Sequence, residues 1–505
     1  MIFRPKKPAW LWDTWLFEWQ GQYHLYYLES HGEKYWDYVG HTVSEDLVHW
    51  TSCPSIYTEG KAGQWDHEPT LTGMVVQHDG KFYMFVGATW NKRQVVGVYI
   101  SDDLYDWHPY SGNPVMMSQF PHYMTEPAGP FGEVDFRDPC ITFRPEDGYY
   151  HALLCARRPN FSHNDTGATI AHLRSKNLLD WESLPPVNAD VSRFYHTEVP
   201  DIFQLDGRYY LIFSTMSFGG MHLNTPSREF AAGAFYMISD SVNGPFTLPK
   251  EYLLIGAGNA KMGSYVARTI PYKGGRLMYH HIKSIERPAF STPKMIATRN
   301  DHSLYLRYMP VVEKLETAVR ISTIDNIKAL KAKDLGIWYR DANSIIGTAG
   351  VLGTACEILD IAHDFHIQFT VKSVTAENAG VVLRCDANNK NYPGVLLNFN
   401  FAYKRIEIGC SRYGPLAGWG PDIDAVVNLR NFQPWDSCNY DLQQNTDYSV
   451  RCFARNEFFE VYVNNVWVST LVLDNASKQG GVQLSVARGQ AYFSNIRIAD
   501  IEPLD

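Results

Sequence analysis

The sequence has no apolar run long enough to cross a bilayer as a helix, and no membrane partner is expected. It has no basic stripe interleaved with aromatics. Its formal net charge is −9 and the acids are dispersed, so nucleic acid is not an expected partner either. No C-x-x-C occurs, and the eight cysteines (Cys53, Cys140, Cys155, Cys356, Cys385, Cys410, Cys438, Cys452) show no paired spacing. Free buried thiols are therefore expected, not a disulfide framework. There is no HExxH and no EF-hand loop, and the 18 histidines show no ligand spacing, so no metal and no cofactor is expected. The opening MIFRPKKPAW lacks the apolar stretch of a signal peptide, and a cytoplasmic location is the matching expectation.

What the chain does have is self-similarity. A Gly in a tight turn followed by an aromatic-rich strand recurs five times: QGQYHLYYL from Gln20, DGKFYMFV from Asp79, DGYYHALLC from Asp147, DGRYYLIFS from Asp206 and KGGRLMYHH from Lys273. A second phrase follows at steady phase: SEDLVHW from Ser44, SDDLYDW from Ser101, SKNLLDW from Ser175 and a decayed SDSVNGPF from Ser239. A fixed period that holds four short strands predicts propeller blades, and five copies predict five of them over residues 1–310. Most of the aromatics are then core, with a minority free to stack on sugar rings. Residues 311–345 read as a connector with a helical turn. From 346 to 505 alternation becomes cleaner, in FHIQFTV, GVVLRCD, RIEIGCS and FFEVYVNN, and predicts a β-sandwich. The fold class is all-β in two domains. Oligomeric state is open.

The turn glycines serve as a ruler. Asp13 lies eight residues before Gly21, Asp138 ten before Gly148 and Glu198 nine before Gly207. The matching places in the second and fifth repeats fall at Leu71-Thr72 and Tyr265, so the acid is not a requirement of the repeat itself. If these segments are the innermost strands, three carboxyls face one axial pocket. Gathered like charges raise at least one pKa. A protonated acid beside an ionised one is the requirement for cleaving a glycosidic bond. Asp201 reads as a turn or strand-packing acid.

At these residues the chain resembles the clan of retaining fructan-acting enzymes, glycoside hydrolase families 32 and 68. FRDP (Phe136 to Pro139) resembles the clan's Arg-Asp-Pro segment, and TEVPDIF (Thr197 to Phe203) its Glu-Cys-Pro-Asp segment with Val199 at the Cys place. VGHTVSEDLVHW from Val39, STPKMI from Ser291 and FFEVYVNN from Phe458 are similar to further phrases in the same order. The resemblance implies a five-bladed propeller plus a sandwich. It implies Asp13 as nucleophile, Asp138 as transition-state stabiliser, Glu198 as general acid/base, and Arg137 as a holder of sugar hydroxyls. The chain departs from family 32 at Trp12-Asp13-Thr14-Trp15-Leu16, which is nearer the Trp-Asp-Ser-Trp of family 68, and at Leu28, Val39 and Leu71-Thr72-Gly73-Met74.

The reading is a retaining glycoside hydrolase acting on β-fructofuranosidic or similar bonds of a carbohydrate substrate. Trp12, Trp65, Thr72 and Tyr265 are expected at the sugar beside Arg137. Alternatives are an inverting arabinan-type enzyme similar to family 43, a fructosyltransferase, and a non-catalytic sugar-binding propeller. Trp419 and Trp435 are the candidates for any accessory sugar contact in the C-terminal part.

Overall fold

A computed structural model describes residues 2–32, 36–58, 60–127, 132–161, 165–216, 223–224, 226, 229–230, 232–257, 263–284, 287–327, 330–332, 336–350, 353–386, 394–410, 433–473 and 477–504. The recurring turn is the local cause of the repeat. Gln20-Gly21, Asp79-Gly80, Asp206-Gly207 and Lys273-Gly274 each have positive φ at both central positions, the twist that closes a two-residue hairpin. The second phrase closes a turn through its own side chains. The hydroxyls of Ser44, Ser101 and Ser175 accept the N–H of Leu47, Leu104 and Leu178 at 2.9, 3.0 and 2.9 Å. Those three leucines are buried at positive φ. The indole N–H of Trp107 and of Trp181 then donates back to the leucine carbonyl.

Four repeats stand as separate antiparallel sheets in a propeller-like arrangement. They begin with Trp10–Trp19, Thr70–His78, Phe136–Arg144 and Glu198–Leu205. The fifth repeat, Gly263–Tyr272, Gly275–Lys283, Lys294–Thr298 and Leu304–Arg307, does not form a separate sheet. Its last strand pairs Arg307 with Val466 and so joins a 13-stranded sheet shared with the C-terminal part. The first strands of the five repeats touch in order, and the fifth touches the first, which closes a ring.

In the C-terminal part, strands of that large sheet and a separate seven-stranded sheet share one core. Ile345, Phe369 and Phe493 from one layer meet Val381, Leu397 and Leu484 from the other. The expected connector opens with a 3-10 helix, Pro310–Leu315, and then Glu316–Ile321 pairs with Gly489–Ile501. No described helix is long and apolar enough to cross a membrane. Seven cysteines are in no disulfide among the described residues. Trp435 packs partly buried against the C-terminal core, and Trp419 lies outside the described residues.

Candidate active site

Each first strand breaks register at the same place. The shifts fall between Leu11 and Thr14, Leu71 and Gly73, Arg137 and Cys140, Glu198 and Asp201, and Tyr265 and Arg268. A bulge bends its strand and re-aims the side chains it holds. Here it turns Asp13, Thr72, Asp138, Glu198 and Tyr265 toward one another. The backbone is strained to do so: Asp138, Val199 and Val266 have φ of 61°, 49° and 55°. For a β-branched residue that is a sparsely populated region, of the kind that clusters at functional sites.

The contacts converge. The Thr72 hydroxyl donates to Asp13 Oδ2 at 2.5 Å. The Val199 N–H donates to Asp138 Oδ2 at 3.1 Å. Arg137 reaches Glu198 Oε1 at 2.8 Å and Asp138 Oδ2 at 3.4 Å. Arg137 is itself aimed by Asp135 at 2.6 Å and by the side-chain amide oxygen Oε1 of Gln94 at 2.9 Å. The Tyr265 hydroxyl donates to Glu198 Oε2, and His196 Nε2 lies 3.0 Å from the same oxygen. Below this layer the buried Arg268 donates to the carbonyls of Gly73 and Pro139 and ties three first strands together.

Charge gathers with little water. The side chains of Asp13, Asp138 and Glu198 keep only 14%, 3% and 17% of their exposure. Burial pushes the Asp13 carboxyl up to about 7, with the charges of Asp138 and Glu198 adding and Thr72 and Lys283 opposing. Burial lifts Asp138 to about 6, against Arg137 and with Glu198. Burial also works to raise Glu198, but His196, Arg137 and Tyr265 outweigh it and hold that carboxyl well below the usual range. A proton shared in this cluster thus favours Asp13 over Glu198.

Among the expected sugar contacts, Arg137, Thr72 and Tyr265 lie against the acids. Trp12 sits within the first bulge, stacked on Trp36 and 5.1 Å from the His281 ring. Trp65 does not join them. It is buried in the second repeat, its ring filling the space over Gly97 and packing on Tyr99. A loop aromatic near a strand end packs inward when a glycine on the next strand leaves room, and the sequence pattern does not carry that. Asp201 accepts from the Thr269 N–H and hydroxyl at 2.9 and 2.6 Å, as a strand-packing acid does.

Four further residues at the site escaped the sequence reading: Asp135, His196, His281 and Lys283. His281 Nδ1 lies 3.5 Å from Asp13 Oδ1. Lys283 Nζ sits over the rings of Trp12 and Tyr265 at 4.6 and 4.3 Å and donates to the Met216 sulfur. Both stand at the end of KGGRLMYHHIK, where polar residues interrupt an apolar second strand; that interruption was the available signal.

A profile of the glycosyl hydrolases family 32 N-terminal domain matches residues 7–286. Among characterised proteins, a bifunctional 6(G)-fructosyltransferase/2,1-fructan:2,1-fructan 1-fructosyltransferase of Allium cepa is 27% identical over 194 residues, covering 36% of this chain and 29% of that protein. A vacuolar acid beta-fructofuranosidase of a Rosa hybrid cultivar is 34% identical over 147 residues, covering 27% of this chain and 23% of that protein. The chain spans less than a third of the length of these relatives. An exo-inulinase from Aspergillus awamori superposes over 100% of this chain and 98% of its own, with a TM-score of 0.67 and 17% identity, a likeness of fold.

Proposed function

Because the chain belongs to glycosyl hydrolase family 32, we propose that it is a retaining glycosidase that cleaves β-fructofuranosidic bonds through a covalent glycosyl-enzyme. Asp13 attacks the anomeric carbon, Glu198 protonates the departing oxygen, and Asp138 steadies the oxocarbenium-like charge. Water activated by Glu198 then frees the sugar. Arg137, Thr72, Tyr265 and Trp12 hold the ring. We read the fifth repeat as a fifth blade, residues 1–310 as the catalytic domain and 346–505 as a β-sandwich fixed against it.

The observation that carries the reading is the convergence of three carboxyls from separate strands at matching bulges, with proton affinities pushed apart. Perturbed carboxyls of this kind gather at active sites, and here they come with a shared pocket geometry. Attack needs Asp13 ionised and Glu198 protonated, which is the resting arrangement with its one proton moved. Substrate entry supplies the reason to move it, since a leaving oxygen at Glu198 stabilises the protonated form. The productive and resting forms hold the same number of protons. The rate kcat/KM therefore falls as pH rises through about 7, where Asp13 loses that proton, and falls again below about 6, where Asp138 gains one.

The test is Glu198→Gln, assayed on sucrose, inulin and levan. Turnover should drop by about 10²–10⁴-fold with sugar binding retained, the range for a lost general acid. Unchanged turnover removes Glu198 from the role. The Allium cepa relative's name keeps transfer in view. New oligosaccharides formed at high sucrose identify transfer, and monosaccharides alone identify hydrolysis.

A further inference from the structure

The strand Gly275–Lys283 stands behind the first strand, Trp10–Trp19, and its alternate residues climb it in steps. The Tyr279 hydroxyl oxygen accepts the Leu16 N–H at 3.0 Å. Two residues on, His281 faces Asp13. Two further on, Lys283 covers the Trp12 ring. One strand face thus presents two nitrogen bases beside the residue read as the nucleophile.

His281 is fully buried, and neither of its ring nitrogens has a hydrogen-bond partner among the described residues. Asp13 Oδ1 is likewise buried and without one. These two orphaned groups face each other across 3.5 Å. Leaving a buried donor and acceptor unmatched is unfavourable, and such groups in native proteins are few. The imidazole ring is boxed by Trp12 at 5.1 Å and Tyr265 at 6.0 Å between centroids, so it has little freedom to turn elsewhere. Burial, with Lys283 and His280 adding, holds the imidazole neutral against the weaker pull of Glu198. A neutral ring carries one N–H, and Asp13 is the acceptor before it.

We propose that His281 is a positioning residue for Asp13: its Nδ1–H closes on Asp13 Oδ1 when a sugar fills the site and fixes the carboxylate for attack. The inference rests on the reading of Asp13 as nucleophile. Hydrogen bonds of this kind are often long in an empty site and tighten in the substrate complex. With Oδ2 held by Thr72 and Oδ1 by His281, the carboxylate plane is set from two sides. The groups that face Asp13 are Asp138 and Glu198, which favour its proton, and Thr72, Lys283 and His281, which favour its charge. His281 therefore tips the shared proton toward Glu198 at the moment of reaction.

The experiment uses His281→Phe and His281→Asn, with sucrose as probe, and ring ¹⁵N NMR of the unsubstituted enzyme. His281→Phe should lower kcat by about 10–100-fold with KM little changed, the loss of one hydrogen bond to a charged group. Its alkaline limb should move to higher pH, because the charged form of Asp13 has lost a donor. His281→Asn, whose amide N–H reaches a similar place, should restore most of kcat and return the limb. The ¹⁵N spectrum with fructose bound should show Nδ1 protonated. An unprotonated Nδ1, an unmoved limb in His281→Phe, or His281→Asn no better than His281→Phe overturns the proposal. The two readings fail separately. Full turnover in Asp13→Asn with a protonated Nδ1 removes the nucleophile and keeps the contact, whereas a bare Nδ1 removes the contact alone.

Discussion

Two of the places where this molecule buries charge are built on opposite rules. At the joint between the fifth repeat and the C-terminal sheets, Lys294 and Glu460 are almost wholly enclosed and lie 2.6 Å apart. Lys294 also donates to the Thr292 carbonyl at 2.9 Å, and Glu460 accepts from the hydroxyls of Thr292 and Thr470. Every charge there has an opposite charge and neutral partners as well. At the axis, three carboxyls crowd together; Arg137 pairs with Glu198 and Asp138, whereas Asp13 keeps an oxygen without a hydrogen-bond partner among the described residues. A paired burial holds two parts in one register. An unpaired burial stores electrostatic strain that a substrate can release.

Breaking the paired charge should give the larger loss of stability. Lys294→Met leaves Glu460 alone in a dry site and should destabilise by about 3–5 kcal/mol in urea unfolding, the usual result of orphaning a buried partner. Turnover per folded molecule should stay unchanged. Adding Glu460→Met should recover most of the lost stability. If Lys294→Met is neutral, the joint is wetter than the contrast requires.

Relieving the unpaired charge should have the opposite sign. Asp13 binds its proton more tightly folded, near 7, than at its unperturbed 3.8, so its contribution to stability falls as pH rises from about 4 to about 7. Asn has no charge to accommodate. Asp13→Asn should therefore be more stable above pH 7, on the order of 4 kcal/mol, with the gain fading toward pH 4. It should also abolish sucrose turnover. Equal melting temperatures at pH 8 would make the axis as well compensated as the joint.

The smallest effect should come from the single neutral donor. Thr72→Val removes the hydroxyl on Asp13 Oδ2. The lost hydrogen bond to a charged group corresponds to about 1.5–3 kcal/mol. It should appear as roughly a tenfold or greater fall in kcat and an alkaline limb moved upward, both read from the pH profile on sucrose.

Why the repeat was legible and the bulge was not follows from how each is encoded. The Gly-centred turns need positive φ, so the residue type marks them and fixes the phase of the first strands. That phase alone picked out Asp13, Asp138 and Glu198. A bulge has no residue signature here; Leu71, Arg137 and Tyr265 look like ordinary strand positions. The first bulge, not strict alternation, sets Trp12 beside His281. Residues on a neighbouring strand were invisible to a ruler laid along the first strand, and His281 and Lys283 belong to that group; His196 lies two residues ahead of Glu198, off the phase the ruler marks. The merged fifth sheet was hidden for a similar reason: one pair, Arg307 with Val466, across about 160 residues of chain.

The central claim is that Asp13 forms a covalent bond to the sugar. The most direct measurement is sucrose cleavage in the presence of methanol, with the configuration of the trapped methyl fructofuranoside read by NMR. Attack by Asp13 followed by release to methanol inverts twice, so the account predicts the methyl β-fructofuranoside. The α-anomer as the first-formed product would mean a single displacement, and Asp13 would then be no nucleophile.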